Sequence, residues 1–313
     1  MKLRLSPARI LALTVALSTI PAVALADPFS SVVVYGDSLS DNGNLFAASG
    51  QPGPPYYMGR RSNGPVAVEQ LANNLGVPLE DFAWIGATTG VGNLSDGGTP
   101  TSLGSFDLPG MQAELAGSEG LLEPFLSNGL FVVWGGPDDF LSPSPLDTTP
   151  TEIAARAVSD LVGIVTTLQS LGAQHILVPG MPDLGLTPTF TSLGPAAAAE
   201  ASLITDAFNA ELQASLPSGV RFYDTAALVR SMVADPSAFG FTNVTDPCFN
   251  GVTVCSNPSQ YLFWDDFHPT TAADAFAAEG FESAAVPEPA TITLFPVALA
   301  LCFVLRKRLL VMR

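Results

Sequence analysis

The feature that most constrains the fold is a regular alternation of short β-branched apolar runs with longer helix-like stretches. The run Ser31–Gly36 (SVVVYG) is rich in valine and ends at glycine, which is typical of a strand buried on both faces. Strands that alternate with helices predict an α/β protein with a mainly parallel central sheet covered on both faces. Further strands are predicted at 82–86, 129–135, 175–180 and 220–223, and helices at 65–76, 151–172, 195–216 and 270–280.

Functional residues of such a fold gather beyond the carboxyl ends of the parallel strands. Four segments that follow predicted strands therefore define one rim of the predicted sheet. They are Asp37-Ser38, Ala87-Thr88, Asp138-Asp139 and Met181-Pro182-Asp183. We also expect a helix to begin just after Ser38.

Both ends of the 313-residue chain have the pattern of processing signals. Residues 1–26 combine basic residues, an apolar run and a final Ala24-Leu25-Ala26, which is typical of a signal peptide and its cleavage site. In residues 286–313 the apolar stretch Ala290–Leu305 spans only ~24 Å as a helix, short for a membrane crossing. Basic residues after that stretch predict that the main domain lies outside the membrane. The remaining residues, 27–285, are predicted to form one domain, and their number would also suit two small ones.

The charge of the chain between residues 27 and 289 is strongly negative. This segment holds all 29 acidic residues but only five of the twelve basic ones, all arginines. The difference is a formal charge of −24. Such a field excludes nucleic acid and anionic membrane surfaces as partners. We interpret it as a solubility device of an exported protein rather than as a site for a cationic partner.

Two of the three cysteines predict a disulfide. Cys248 and Cys255 bracket the loop CFNGVTVC, whereas Cys302 lies in the terminal apolar stretch. In an exported protein this spacing favours a disulfide, which would stabilise the fold by about 2.5 kcal/mol in the chain-entropy model. No histidine lies nearby at zinc spacing, so a two-cysteine metal site is disfavoured.

Histidine, the most versatile catalytic side chain, occurs only twice. His175 begins a predicted strand, which favours a structural role. His268 lies three residues after Asp265, so one tight turn can bring that carboxylate to the imidazole Nδ1. A serine becomes a nucleophile when a base is near it, and Ser38 lies on the predicted rim. The G-x-S-x-G motif of the other large esterase fold is absent.

Taken together, these segments resemble the GDSL-type esterases of the SGNH hydrolase superfamily. GDSLSDNGN is similar to the first family block, with Ser38 at the nucleophile position, and FAWIGA is similar to the second, with Gly86 as a backbone oxyanion donor. YLFWDDFHPTTAA is similar to the last block, with Asp265 and His268 completing a triad. YYMGRRSNGPVAVEQLA resembles the stretch between the first two blocks. The resemblance implies a three-layer α/β/α sandwich of the flavodoxin-like SGNH type, ester hydrolysis through an acyl-enzyme, and neither metal nor organic cofactor.

The C-terminal segment is similar to a PEP-CTERM sorting signal, in which Val-Pro-Glu-Pro precedes an apolar helix and basic residues. This resemblance implies export from a Gram-negative-type cell and transient anchoring in the inner membrane by the C-terminal helix. It also implies processing by an exosortase and release to the cell surface or the extracellular matrix, where such proteins often accompany exopolysaccharide.

One position departs from the family pattern. The third block, G-x-N-D, here reads Gly136-Pro137-Asp138-Asp139, so Asp138 replaces an asparagine that donates to the oxyanion. An ionised carboxylate only accepts hydrogen bonds, and loss of one oxyanion donor costs ~3–4 kcal/mol. Asp138 would donate only if burial raised its pKa strongly, and otherwise it could turn away and leave the Ser38 and Gly86 amides to bind the oxyanion. We therefore expect, in this order, weakened activity, a protonated Asp138, or loss of turnover.

The resulting prediction is an exported serine hydrolase that cleaves lipid acyl esters or acetylated polysaccharide. Residues Pro54–Met58 could line an acyl groove, although packing within their own loop is the favoured interpretation. The alternative function is a catalytically impaired surface or exopolysaccharide-binding protein on the same fold. Asp138 and the sorting signal motivate that alternative, whereas the retained Ser38, Asp265 and His268 oppose it.

Overall fold

The structure, a computed structural model, describes residues 29–286. The predicted signal peptide lies outside this range, as do Cys302 and the predicted sorting signal apart from its first residue, Val286. Within residues 29–286 no helix is both long enough and apolar enough to cross a membrane.

Five parallel strands form the central sheet in the order β2-β1-β3-β4-β5, which confirms the predicted parallel architecture. The strands are β1 (Ser31–Gly36), β2 (Leu79–Asp81), β3 (Gly129–Trp134), β4 (His175–Pro179) and β5 (Arg221–Tyr223). Strands β1 and β3 are buried along their whole length, as their apolar sequences predict.

Helices connect the strands and cover the sheet. In the described range they are α1 (Asn44–Ser49), α2 (Ala67–Leu75), α3 (Met111–Ser118), α4 (Pro137–Leu141), α5 (Pro150–Leu171), α6 (Pro188–Ser192), α7 (Pro195–Ser215), α8 (Thr225–Ala234) and α9 (Thr271–Ala285). Helix α5 begins at a capping box in which Glu152 N donates to Thr149 Oγ1 (3.2 Å) and Thr149 N donates to Glu152 Oε2 (3.0 Å). It ends where Gly172 adopts a left-handed conformation.

The helices form two layers, one on each face of the sheet. Phe131 points to one face and belongs to the same buried cluster as Leu161 of α5 and Phe208 of α7. Trp134 points to the other face, where its ring meets Phe281 of α9 edge to face at 5.1 Å. Helix α3 joins the first layer and α2 the second. The result is the three-layer α/β/α sandwich that the sequence predicts.

Two local predictions are wrong. The strand predicted at 82–86 is instead β2, which ends at Asp81. Beyond Asp81 only single bonds to β1 persist, from Phe82 N to the Val34 carbonyl (3.0 Å) and from Trp84 N to the Gly36 carbonyl (3.2 Å), while the alternate amides Ala83 N and Ile85 N donate to Asp81 Oδ1 (2.9 Å) and Asp41 Oδ2 (2.8 Å). The helix expected just after Ser38 begins only at Asn44. Ser38 lies instead in a turn, in which the carbonyl of Asp37 accepts from Ser40 N (3.1 Å) and Asp41 N (3.0 Å).

The register of the sheet aligns the strand ends that carry the candidate site. Gly36, the last residue of β1, pairs with Trp134, the last residue of β3, and Pro179 of β4 pairs with Tyr223 of β5. The backbones of β1 and β3 approach so closely that a Cβ on Gly36 would lie 2.6 Å from the Trp134 carbonyl oxygen. The segments that follow these strands consequently open onto one rim.

Candidate active site

Ser38, His268 and Asp265 form a continuous hydrogen-bonded chain across the rim. His268 Nε2 lies 2.8 Å from Ser38 Oγ. The other ring nitrogen, Nδ1, lies 2.8 Å from Asp265 Oδ1 and 2.9 Å from Oδ2. The structure thus brings together three residues that are 230 positions apart at their extremes. In this arrangement an imidazole can take the serine proton while a carboxylate stabilises the imidazolium.

The carboxylate of Asp265 is held by donors on both oxygens. Oδ1 accepts from the backbone amides of Phe267 (2.9 Å) and His268 (2.8 Å), and Oδ2 accepts from the Tyr56 hydroxyl (2.8 Å). Burial acts to raise the pKa of Asp265, but the charge of His268 and these hydrogen bonds outweigh it and hold the pKa below its ordinary value. Asp265 is therefore ionised at neutral pH.

The loop that carries Asp265 and His268 is supported by the disulfide-closed loop. The predicted Cys248–Cys255 disulfide is formed. Cys248 N donates to the Phe263 carbonyl (3.0 Å), Phe249 N donates to the Trp264 carbonyl (2.6 Å), and the rings of Phe249 and Trp264 stack at 5.9 Å. The disulfide thus closes a loop that packs directly on the catalytic loop.

Two backbone amides next to the serine form an oxyanion site. In the part of the chain that the structure describes, neither Ser38 N nor Gly86 N donates to a protein acceptor, and both residues line the same cavity. Gly86 has φ +83°, and a Cβ at this position would lie 2.6 Å from Asn93 Oδ1. Glycine is therefore required here, both for the left-handed backbone and for the close approach of Asn93.

Buried carboxylates hold the loop that presents Gly86. Asp41 accepts from the amide of Ile85 and also from the amides that open α1, including Asn44 N at 2.6 Å. On the far side of Gly86, Asp139 accepts from Thr89 N (2.9 Å) and Thr89 Oγ1 (2.7 Å). Burial raises the pKa of Asp139 to about 7, against these hydrogen bonds. Asp139 consequently fixes a loop rather than facing the cavity.

Asp138, in contrast, faces the cavity and lacks a donor. Its side chain is 7% exposed and lines the cavity together with Ser38 and Gly86. Within residues 29–286 its carboxyl group has no hydrogen-bond partner. Burial, and then the nearby charges of Asp37 and Asp139, raise its pKa well above the ordinary value, and the charge of Arg61 opposes them. Asp138 is the residue whose protonation the sequence left open, and its surroundings favour the neutral acid.

Asp37 adds a second buried carboxyl group at this point. Its Oδ1 accepts from Leu39 N (2.9 Å), whereas its buried Oδ2 has no partner among the described residues. Burial raises the pKa of Asp37 to about 6, although the Leu39 hydrogen bond and the charge of His268 lower it. Ionisation of both Asp37 and Asp138 is thus unfavourable.

The cavity above Ser38 measures about 510 Å³ and opens at the predicted rim. Its wall includes Asp37-Ser38, Asp138 and Asp183, whereas Ala87, Thr88 and Asp139 lie buried behind it. Much of the remaining wall is apolar and includes Leu39, Ile85, Leu94, Leu141, Leu184, Val229, Met232 and Phe267. His175 lies at the opposite end of the sheet against Phe29, which confirms its structural role.

Sequence reasoning missed the part that Tyr56 plays. Of Pro54–Met58, for which packing within the loop is the favoured interpretation, only Tyr56 lines the cavity, and it donates to Asp265, whereas Tyr57 and Met58 are exposed. Glu114 was also missed: it accepts from Gly36 N and Trp84 N, both at 3.1 Å, and links β1 to the loop of Gly86. A single glutamate inside an amphipathic helix gives no sequence signal for that role.

Among the described residues no cluster of three or more His, Cys, Asp or Glu side chains could hold a metal ion.

Comparison with known proteins assigns the chain to a family. Residues 32–281 match the family described as GDSL-like Lipase/Acylhydrolase. A phosphatidylcholine-sterol acyltransferase from Aeromonas hydrophila is 29% identical over 83% of this chain and 91% of that protein. The esterase EstA from Pseudomonas aeruginosa is 29% identical over 94% of this chain, which spans about half (52%) of EstA.

Among solved structures, the acetyl xylan esterase AlAXEase aligns with a TM-score of 0.46 and 11% identity over 82% of this chain and 100% of that chain. Axe2, an acetylxylan esterase from Geobacillus stearothermophilus, aligns with a TM-score of 0.44 and 13% identity over 83% and 95%. The family match carries the assignment, since it spans most of the chain and includes Ser38, Asp265 and His268. The protein therefore belongs to the GDSL-like lipase/acylhydrolase family and is a carboxylic ester hydrolase.

Proposed function

We propose that this protein is an exported serine esterase that cleaves acyl esters through an acyl-enzyme. The observation that carries the proposal is the chain of hydrogen bonds from Ser38 Oγ through the His268 ring to Asp265. Each distance in it is 2.8–2.9 Å, within reach for direct proton transfer from the serine to the imidazole.

The reaction would proceed in two halves. Ser38 Oγ attacks the ester carbonyl carbon while His268 Nε2 takes the serine proton. The tetrahedral intermediate then collapses, the bond between the acyl carbon and the alcohol oxygen breaks, and His268 gives its proton to the leaving alcohol. In the second half a water molecule attacks the acyl carbon while His268 takes a proton from the water. The bond between the acyl carbon and Ser38 Oγ then breaks, His268 returns the proton to Ser38, and the carboxylic acid is released.

Three groups are proposed to stabilise the oxyanion of each intermediate. Two are the amides of Ser38 and Gly86, which meet no protein acceptor in the described range. The third is Asp138 as a neutral carboxylic acid, which can donate one hydrogen bond where an ionised carboxylate cannot. The burial of Asp138 and the nearby charges of Asp37 and Asp139 support this protonation state, because they raise its pKa well above the ordinary value against the charge of Arg61. The proposal thus favours a working oxyanion hole over the weakened one expected first from the sequence.

The substrate is proposed to carry an acyl chain. The apolar part of the cavity wall supports lipid acyl esters, because burial of each CH₂ in such a wall contributes about 0.8 kcal/mol to binding. Two relatives, the phosphatidylcholine-sterol acyltransferase of Aeromonas hydrophila and the esterase EstA of Pseudomonas aeruginosa, are in line with that chemistry. Acetylated polysaccharide remains the second substrate class, and the sorting-signal pattern at the C-terminus supports it.

Export and surface location also belong to the proposal. They are supported by the signal-peptide pattern of residues 1–26, by the sorting-signal pattern of residues 286–313 and by the disulfide. Processing by an exosortase and transient anchoring in the inner membrane follow from the second pattern.

The test is hydrolysis of 4-nitrophenyl esters by the purified protein and by Ser38→Ala, together with labelling by an organophosphonate. We expect turnover and labelling of Ser38 in the wild type, and a loss of roughly 10⁶-fold in kcat with no labelling in the variant. No turnover and no labelling in the wild type would refute the esterase. Glycan binding that Ser38→Ala leaves unchanged, without turnover by either protein, would instead support the surface-binding alternative.

A further inference from the structure

Arg61 differs from the other arginines of this acidic protein. Of the five arginines in residues 29–286, three form ion pairs: Arg60 with Glu69, Arg156 with Asp147, and Arg230 with Asp183 and Asp206. Arg221 donates to the Ala284 carbonyl oxygen (3.1 Å). Within the described range Arg61 alone has neither a carboxylate within 4.0 Å nor a partner for its buried Nε.

The guanidinium of Arg61 lies in the wall of the active-site cavity. Its central carbon lies 5.2 Å from the centroid of the Tyr56 ring, and the Tyr56 hydroxyl donates to Asp265. Tyr56 orients the planar guanidinium, and the charge and hydrogen bonding of Arg61 act to lower the pKa of Tyr56, while the buried Arg61 Nε has no partner in the described range. Arg61 is thus a positioned cation one side chain away from the catalytic triad.

A half-buried cation without an anionic partner is costly, and an ordinary ion pair would remove that cost. The cavity wall also holds carboxyl groups, and none of them forms an ion pair with Arg61 within 4.0 Å, although the charge of Arg61 acts on Asp138. They are Asp37, Asp138, Asp183, Asp265, Asp266 and Asp274. Asp265 is engaged by His268 and Tyr56, and Asp138 is neutral in the proposed mechanism. No carboxylate of the described residues thus meets Arg61 at ion-pair distance, and an anionic group of a ligand would supply that partner.

We propose that Arg61 binds an anionic oxygen group, a carboxylate or a phosphate, on the ester substrate. The guanidinium presents its donors as a planar fork that matches the paired oxygens of either group. This inference rests on the proposed esterase function, and it assigns the substrate class: an ester that carries a negative charge within reach of the cavity wall.

Two pairs of substrates test it, each differing only in the charged group. The acyl arm compares mono-4-nitrophenyl adipate with 4-nitrophenyl hexanoate, and the alcohol arm compares 1-hexanoylglycerol 3-phosphate with 1-hexanoylglycerol. For each pair, kcat/KM of the anionic ester is divided by that of the neutral ester. We expect Arg61→Gln to lower this ratio by roughly 10–100-fold in one arm, because a hydrogen bond to a charged group is lost. Arg61→Lys should fall between, since lysine keeps the charge but not the fork.

Arg156→Gln is the matched control, because it removes the same charge from an arginine that pairs with Asp147 away from the cavity. It should leave both ratios unchanged. A fall in the acyl arm alone places the anion on the acid part of the substrate, and a fall in the alcohol arm alone places it on the alcohol. Unchanged ratios in both arms for Arg61→Gln would overturn the inference. If the wild type hydrolysed not even the neutral esters, the proposed esterase function itself would be refuted.

Discussion

Two buried carboxyl groups face the same cavity, and their surroundings differ in almost every respect. Asp265 accepts from two backbone amides, from the Tyr56 hydroxyl and from His268. Asp138 accepts from no donor in the described range and lies near the carboxyl groups of Asp37 and Asp139. The pKa of Asp265 is accordingly held below its ordinary value, whereas that of Asp138 is raised well above it.

The comparison shows that donors, rather than burial, decide which carboxyl group is charged. Burial is the largest single influence at both sites and acts in the same direction, towards the neutral acid. At Asp265 the charge of His268 and the hydrogen bonds from His268 and Phe267 overcome it, whereas at Asp138 only the charge of Arg61 opposes it and does not overcome it. One cavity can therefore hold an ionised carboxylate for the histidine and a neutral acid for the oxyanion.

The largest expected effect is at the ionised site. Asp265→Asn should lower kcat by roughly 10⁴-fold, because an amide can hold His268 in the tautomer that carries its proton on Nε2 and cannot accept one from Ser38. The measurement is kcat on a 4-nitrophenyl ester at neutral pH. Asp266→Asn, which changes the adjacent exposed carboxylate, is the matched control and should retain full activity. Loss below about tenfold in Asp265→Asn would mean that the carboxylate does not orient the histidine.

Much of the fold follows from sequence pattern, and the reason is periodicity. Strands β1 and β3 are continuous apolar runs, and helices α5 and α9 have regular spacing with clear caps, so their positions depend on local chemistry. In the segment predicted as a strand at 82–86, Phe82 N and Trp84 N still donate to β1, but Ala83 N and Ile85 N donate to the side chains of Asp81 and Asp41, and the latter is a tertiary contact without periodicity. The sequence predicts the start of a helix at the turn of Ser38, because short polar residues are common both in turns and at the first positions of helices.

The candidate site divides in the same way. Ser38, Asp265 and His268 were found from motif and rim position, and the structure brings them together. The roles of Tyr56 and Arg61 were not found from the sequence. Tyr56 contacts Asp265, which lies 209 positions further along the chain, and Arg61 is placed by its contact with Tyr56. The protonation of Asp138 depends on its three-dimensional surroundings. The sequence shows that aspartate stands at the family's asparagine position, but it does not show those surroundings.

The second prediction concerns the neutral site and its pH dependence. With a raised pKa, Asp138 donates at neutral pH and loses its proton as the pH rises through that pKa. The kcat/KM of the wild type should therefore fall at alkaline pH by roughly 10²–10³-fold, the effect of one lost oxyanion donor. Asp138→Asn donates at every pH, so its profile should lose the alkaline limb.

The measurement is kcat/KM on a neutral 4-nitrophenyl ester from pH 5 to pH 10. Asp266→Asn again serves as the control and should retain the alkaline limb of the wild type. A rise of about a hundredfold in Asp138→Asn already at pH 7 would show that Asp138 is ionised there. The oxyanion hole would then be impaired, and the weakened activity first expected from the sequence would be the correct prediction.

The smallest expected effect is on the free energy of unfolding. Its dependence on pH has opposite signs for Asp138 and Asp265. Asp138 has a raised pKa in the fold, so its contribution is fully present below the unfolded pKa near 3.9 and is lost as pH rises through the folded pKa. Asp139, with a pKa of about 7, and Asp37, with about 6, act in the same direction. Asp265 has a lowered pKa, so its contribution is present above the unfolded pKa and is lost as pH falls.

We therefore expect the free energy of unfolding of the wild type, measured by urea titration, to fall as pH rises from 5 to 8. In Asp138→Asn one titrating proton is missing, so the slope should be shallower by up to about 1.4 kcal/mol per pH unit. Asp266→Asn, which removes an exposed carboxylate, is the control and should leave the slope unchanged. Equal slopes in wild type and Asp138→Asn would mean that the Asp138 carboxyl group has the same charge in the fold and in the unfolded chain. The contrast between the two sites would then disappear, and Ser38 and Gly86 would be the only oxyanion donors left in the proposal.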